Sequence, residues 1–291
     1  MKGTVLVLGA SGKVGRHSSK AFQDKGWTVK TFNRRKDDMV EAAKGVDVIV
    51  NGLNPPNYHD WKTILPAVTR DVIKAASTSG ATVILPGNVY HFGDQPGTWS
   101  EHTPAKPVSQ KGRIRLDLER TYKESGVQTI VLRGGNFIDP DGQDCVLSTI
   151  YLRSIRKGKI TLPGPKSTRQ AFCYLPDWAR AAAELAEMRG RLGRFEDIPF
   201  PGHTLSAEQI KEILEQALNR KLGFTKFPWP VLTLLSPVWE LAREAKEMRY
   251  LWNTDHALSD ETFTSLLPKF SGTAVETALV SALPPGVAPT Q

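Results

Sequence analysis

Cysteine is scarce in this chain: Cys145 and Cys173 are the only two among 291 residues. Two cysteines exclude a disulfide-rich scaffold, and their spacing matches no zinc motif; both read as structural. Six histidines are scattered without metal-ligand spacing, so no metal site is expected. Long apolar runs are also missing. A membrane-spanning helix needs about 20 apolar residues, and the best local run, 231–235, is short and sits among prolines. Gly9 and Gly12 interrupt the first apolar run, which argues against a secretory leader. A soluble cytoplasmic protein without a membrane partner is the expectation.

The composition is 40% hydrophobic and 23% charged, enough to bury a sizeable core and unlike a disordered chain. Lysine and arginine total 38 against 30 acidic residues, a net charge of +8. That excess suits an anionic cofactor as well as it suits nucleic acid, and no nucleic-acid module is recognisable. Much of it lies near the start, in Lys13, Arg16, Lys20, Lys25, Lys30, Arg34, Arg35 and Lys36.

Residues 5–8 form a short apolar run of buried parallel-strand type. Gly9-Ala10-Ser11-Gly12-Lys13-Val14-Gly15 follows, then a helix-compatible stretch to Gly26, then a second strand over 28–32. Further strands are expected at 47–50, 82–85 and 128–132, with helices over 61–77 and 110–124. This alternation predicts an α/β fold, a Rossmann-type doubly wound parallel sheet. Beyond Arg133 the pattern changes to helices at 145–157, 177–188, 206–218 and 239–250, with a loop at 161–165 and a frayed tail at 284–291. Ser206 is an N-cap candidate, with Gln209 completing a capping box. The expected division is a dinucleotide-binding domain over 1–160, rejoined by 168–190. A smaller, partly interleaved and mainly helical substrate region then covers 191–291.

Glycines after a first strand let the backbone approach a pyrophosphate, and the following helix offers unpaired N–H groups to its charge. Gly9, Ser11, Gly12, Lys13, Val14 and Gly15 are therefore cofactor-binding candidates, joined by Asn51 and Gly52 at the end of the third strand. At the end of the second strand, NAD sites place an acidic residue on the ribose, whereas NADP needs a cation for its extra phosphate. Asn33, Arg34, Arg35 and Lys36 stand there, with no carboxylate before Asp37. NADP(H) is favoured on that ground, with NAD(H) the alternative.

The chain resembles the extended or atypical short-chain dehydrogenase/reductase family, in its NAD-dependent epimerase/dehydratase branch. The resemblance rests on the glycine turn, Pro86-Gly87-Asn88-Val89-Tyr90, Glu119, Arg133-Gly134-Gly135-Asn136-Phe137, Leu175-Pro176-Asp177-Trp178-Ala179 and Gly202-His203-Thr204-Leu205-Ser206. Family members use Tyr-x-x-x-Lys with a nearby Ser or Thr. Here Lys111 stands at the tyrosine position, Arg115 at the lysine position and Asn88 at the hydroxyl position. Residues four apart share a helix face, so Lys111 and Arg115 address one cleft. Arg115 would hold a ribose hydroxyl, and Lys111 would serve as an acid if a neighbouring cation and partial burial lowered its pKa. Asn88 would donate to a developing alkoxide. Tyr90 is a further catalytic candidate, and the resemblance implies that Asn136 and Phe137 contact nicotinamide or substrate. Trp229, Trp239 and Trp252 read as core.

The resemblance thus implies hydride transfer between a nicotinamide cofactor and a small carbonyl or alcohol, in a monomer or homodimer. A non-catalytic dinucleotide-binding sensor or scaffold is the alternative, because the cofactor features are intact beside altered catalytic positions.

Overall fold

A computed structural model describes residues 2–142 and 144–287. Its first half runs β1 (Thr4–Leu8), α1 (Lys13–Asp24), β2 (Thr28–Phe32), α2 (Met39–Ala42), β3 (Val48–Asn51), α3 (Trp61–Ser79), β4 (Thr82–Gly87), β5 (Gly97–Trp99), α4 (Gln110–Glu124) and β6 (Thr129–Arg133). There follow β7 (Asn136–Ile138), β8 (Lys159–Leu162), β9 (Gln170–Tyr174), α5 (Leu175–Glu187), β10 (Phe195–Pro199) and β11 (His203–Leu205). The remainder is α6 (Ala207–Leu218), β12 (Gly223–Lys226), α7 (Trp229–Leu235), α8 (Glu240–Glu247), β13 (His256–Leu258), α9 (Glu261–Leu266) and α10 (Val275–Ser281).

Six strands form one parallel sheet in the order β10-β6-β4-β3-β1-β2. Side chains alternate across it, as a pleated backbone requires. Val5, Val7, Val48, Val50, Ile84, Ile130 and Leu132 pack on the α1/α5 face. Leu6, Leu8, Ile49, Val83, Leu85 and Val131 pack on the α3/α4 face. Both faces are covered, which explains why the middles of β1, β3, β4 and β6 are apolar on both sides. The fold is a doubly wound, Rossmann-like sheet. Strand order reverses beside β1, with β2 on one side and β3 on the other, and ligands bind outside the carboxyl ends at such a point.

A second core lies beside the sheet, built from β7, β8, β9, α6 and α10, with Tyr151, Ile155, Ile210, Leu214 and Leu279 buried in it. The capping box on α6 is present: the Ser206 N–H donates to Gln209 Oε1 at 2.9 Å, and the Gln209 N–H donates to Ser206 Oγ at 3.2 Å.

Several boundaries differ from the sequence reading. The large sheet takes its last strand, Phe195–Pro199, from inside the stretch expected as the substrate region, and the short strands β11, β12 and β13 lie among the helices that make up most of its regular structure. The stretch expected as one helix over 145–157 is a wide turn at Leu147–Tyr151 and a tight one at Ile155–Lys157. There the Ser148 and Thr149 hydroxyls both donate to the Cys145 carbonyl and compete with the helical ladder. The loop expected at 161–165 begins inside β8, which pairs with the distant β12. In the tail, Val287 is buried in the second core, while 288–291 lie outside the described residues.

The small β5/β13 pair carries a titratable group in a dry place. His256 stacks on Trp99 with ring centroids 4.4 Å apart, and its Nδ1 lies 2.9 Å from the Thr254 carbonyl. Burial lowers its pKa from 6.5 to about 4. The unfolded chain binds this proton as pH falls through 6.5, whereas the folded chain binds it only near 4. Stability from neutral His256 is therefore complete above about pH 6.5 and declines between there and pH 4, by a few kcal/mol. His256→Phe keeps the stacking and removes the titration. Denaturation midpoints of wild type and variant should converge or cross over this interval, and parallel curves would refute the assignment.

Candidate functional site

The β1–α1 turn is built around backbone contacts that tolerate no side chain. Gly9 has φ +72°, and a Cβ there would lie 2.9 Å from the Gly52 carbonyl oxygen. A Cβ on Gly15 would overlap the Gly9 carbonyl oxygen and stand 2.7 Å from Ala10 Cα. A Cβ on Gly52 would meet the Leu8 carbonyl at 2.8 Å. The ends of β1 and β3 and the start of α1 therefore converge at the switch point. Gly12 is the N-cap residue of α1 and no side chain caps it, so N–H groups of its first turn stay open to an anion.

The neighbouring candidates divide. Asn51 is buried, donates from Nδ2 to the Tyr122 hydroxyl at 3.2 Å and accepts from the Leu53 N–H, which fixes the turn into Gly52. Ser11 is exposed on the glycine turn, and Val14 is buried in the α1/α5 core. Lys13 turns away from the glycines: its Nζ donates to the Asp144 carbonyl at 2.9 Å and pairs with its carboxylate at 3.0 Å.

At the end of β2 the chain folds back on itself. The Lys36 and Asp37 N–H groups both donate to the Asn33 carbonyl, and Asp37 Oδ2 accepts from the Asn33 N–H at 2.7 Å. Arg34 and Arg35 are exposed on this turn. A carboxylate thus returns to the very end of β2, in the same turn as the two arginines.

A second cluster forms beyond β3 and β4. The Tyr58 and Tyr90 hydroxyls are 3.1 Å apart, and Trp61 lies against both rings. Tyr58 has φ +61°, between Asn57 at +54° and Asp60 at +40°. Left-handed backbone at three non-glycine residues of one short loop is costly and must be held by its surroundings. Burial and the Tyr90 hydroxyl push the Tyr58 phenol pKa well up, so it stays protonated. Arg115 lies over Trp61 at 5.0 Å and donates from Nη2 to Asn54 Oδ1 at 3.3 Å; its Nε is buried without a partner.

Lys111 is only 2% exposed. Its ammonium meets the Glu244 carboxylate and, at 2.5 Å, Glu247 Oε2, both from α8. It also lies over the Tyr58 ring at 5.2 Å. The sequence reading required a neighbouring cation together with partial burial to make Lys111 an acid; the side chain is buried, but two carboxylates stand where the cation was needed. Nothing in α4 signals this pairing, because the partners arrive from more than 130 residues away. Asn88 shapes the turn after β4: its Oδ1 accepts from the Tyr90 N–H at 3.0 Å and its carbonyl accepts from Arg133 Nη1 at 2.5 Å.

Arg133 is the residue to which sequence reasoning gave no role. It is fully buried at the end of β6 and joins three elements. Its Nη2 donates to Glu119 Oε2 at 2.8 Å and to Asp197 Oδ2 at 2.6 Å, and its Nη1 reaches His91 Nδ1 at 3.2 Å. Glu119 and Asp197 raise its pKa against the opposing effect of burial. Burial, then the Arg133 charge, lowers His91 to about 3, so that imidazole is neutral. His91, Glu119 and Asp197 resemble a metal-ligand set, but the guanidinium already occupies their shared space. An arginine ending an otherwise apolar strand, with a glutamate in the preceding helix, was the available signal. Beyond it Asn136 opens β7, after Gly134 and Gly135 have passed close against Cys173 and Ala171. Asp177 caps nothing; it ties α5 to the Thr273 N–H and hydroxyl. Trp229 is buried, while Trp239 is 45% exposed and not part of the core.

No protein of curated function matches the chain in sequence. Solved structures match its fold over nearly its whole length. MoeE5 in complex with UDP-glucuronic acid and NAD has a TM-score of 0.75 at 16% identity, over 96% of this chain and 97% of that one. A UDP-glucuronic acid 4-epimerase mutant from Bacillus cereus, with UDP-4-deoxy-4-fluoro-glucuronic acid and NAD, has a TM-score of 0.73 at 16% identity, over 96% and 97%. The Bordetella bronchiseptica enzyme WbmH in complex with NAD+ has a TM-score of 0.70 at 14% identity, over 97% and 96%.

These neighbours overturn the preference for NADP(H), since the dinucleotide in each is NAD. The preference weighed Arg34 and Arg35 as though no acid were near, whereas the turn brings Asp37 back to Asn33. Among the described residues no helix is long and apolar enough to cross a membrane. The model of the NAD dependent epimerase/dehydratase family matches residues 5–195, from β1 into β10. With that match covering about two thirds of the chain, five strands of the parallel sheet and the glycine cradle at its switch point, the chain belongs to the NAD-dependent epimerase/dehydratase family.

Proposed function

We propose that this chain binds NAD at the β1/β3 switch point and uses it to oxidise or reduce an alcohol or carbonyl carbon of a small substrate. The observation that carries this reading is the cradle of Gly9, Gly15 and Gly52 beneath the uncapped start of α1. Asp37 takes the ribose end, and Arg115 supplies guanidinium donors near the nicotinamide ribose. When bound, NAD supplies a hydride acceptor at its nicotinamide C4. Tyr90 is the proton-exchanging candidate: as hydride leaves the substrate carbon, the hydroxyl proton leaves through the Tyr90–Tyr58 pair toward water, and reduction runs the same path backwards. Lys111 acts as a positioning residue, fixing α8 over Tyr58. The sugar nucleotides of the solved neighbours make UDP-sugars the first substrates to test.

A second reading, NAD binding without turnover, is favoured by one observation: the group at the usual tyrosine position is sequestered by Glu244 and Glu247. One experiment separates the readings. Calorimetric titration with NAD+ and NADH is followed by absorbance at 340 nm with UDP-glucose, UDP-glucuronic acid and a panel of small alcohols. Binding with NADH formation that Tyr90→Phe abolishes supports the catalytic reading. Binding without absorbance across the panel supports the sensor, and no binding of either dinucleotide defeats both.

A further inference from the structure

Among the described residues, the exposed large apolar side chains other than Val108 are gathered in one segment. Val231 is 53% exposed, Leu234 79%, Val238 86% and Trp239 45%. Val231, Leu234 and Leu235 recur at helical spacing on one face of α7, and Val238 and Trp239 continue the patch into the start of α8. The segment is firmly seated from below. Trp229 is buried, donates from Nε1 to the Pro163 carbonyl at 2.7 Å and packs on Phe227 at 4.7 Å. A patch so fixed and so exposed marks an interaction surface rather than a loosely folded end.

Charge around the patch is segregated. The three acids of α8 are turned toward the Rossmann half, where Glu240 holds His59 at 2.9 Å while Glu244 and Glu247 hold Lys111. The outward side carries Lys246 and Arg249, with Lys226 exposed close by in sequence, while Arg243 is exposed but pairs with Glu244 at 3.2 Å. Among the described residues Lys226, Lys246, Arg249 and Arg153 form no ion pair with a carboxylate. Arg249 and Arg153 instead lie over Trp229 and Phe227, at 5.2 Å each.

We propose that residues 228–239 form an interfacial anchor that inserts into the surface of an anionic lipid bilayer. An apolar tip, a tryptophan at its edge and a ring of free cations is the arrangement that lies on such a surface. With seven residues α7 is roughly 10 Å long, so it lies on a bilayer and does not cross it. The absence of a spanning helix therefore leaves this contact open, and the expectation of no membrane partner does not extend to it. A second copy is a poorer occupant, because docking patch to patch brings the same basic rims together within a chain of net charge +8. This inference is independent of the NAD chemistry.

Co-sedimentation with vesicles tests it, using phosphatidylcholine alone against phosphatidylcholine and phosphatidylglycerol in equal parts. Wild type should sediment with the anionic vesicles and lose binding as salt is raised, by about fivefold for each basic contact removed. Leu234→Glu/Val238→Glu should reduce partition at least tenfold while leaving the far-ultraviolet spectrum and NAD titration unchanged, which separates lost insertion from misfolding. Lys246→Gln/Arg249→Gln should weaken only the anionic preference. No sedimentation with anionic vesicles, or equal sedimentation of the apolar double variant, overturns the anchor. So does light scattering that shows a wild-type dimer converted to monomer by Leu234→Glu/Val238→Glu, since the patch then belongs to a second copy.

Discussion

Arg133→Ala is expected to lower the free energy of unfolding by about 3–5 kcal/mol. The guanidinium is fully buried and bonds carboxylates of both Glu119 and Asp197, so its removal strands two acids in a dry space. Against a typical total of about 5–15 kcal/mol, such a loss removes much of the stability of the sheet. The Asn88 carbonyl loses its donor as well, and the turn leading to Tyr90 loosens. Urea unfolding followed by circular dichroism measures the shift. The further change Arg133→Met/Glu119→Gln should recover part of it, because one stranded charge is then neutral. A loss under about 1 kcal/mol would show that water reaches the carboxylates and that the junction is not a buried one.

Gly15→Ala should have the largest effect on cofactor binding. The added methyl overlaps the Gly9 carbonyl oxygen and crowds Ala10 Cα, so α1 must move away from β1. Overpacking of this kind costs about 1–3 kcal/mol, which is one to two orders of magnitude in the NAD dissociation constant when the strain falls on the bound geometry. Gly12→Ala should strain the fold less: its φ is −79°, and the nearest contact of an added Cβ is 3.2 Å from the same oxygen, so its unfolding midpoint should fall less than that of Gly15→Ala. Equal affinity of wild type and Gly15→Ala would remove the cradle from the binding site.

The parts of the fold legible in the sequence are those whose cause is local. β2 and α4 occupy the residues expected, and α6 begins at its capping box, because strand alternation, turn glycines and a cap act within a few residues. β8 was hidden because its identity depends on β12, some sixty residues on. The same distinction separates the parts of the site. The glycine cradle is a property of one turn and its neighbour, and was readable. The pairing of Lys111 with Glu244 and Glu247, and the meeting of Arg133 with Asp197, join distant segments through charge, which no spacing rule records. The cofactor preference failed within a single turn: a linear reading counted Asp37 as four residues too late, although the hydrogen bonds to Asn33 erase that separation.

The way the second core is assembled bears on how the chain comes to be folded. Its buried residues come from four separated stretches: Ile138 to Ile160, Phe172 and Tyr174, Leu205 to Leu222, and Ala278 to Val287. Ala278 and Leu279 of α10 are fully buried within it, and α10 packs against α6. On a growing chain, the part of α6 that meets α10 therefore stays uncovered until some sixty further residues have been made. Contacts of such long sequence separation form late, because the loop must close before any burial is gained. The parallel sheet is complete once β10 has been made, so it has time to settle first and to serve as the surface on which the smaller lobe closes. Until α10 arrives, the second core lacks the last of its apolar cover.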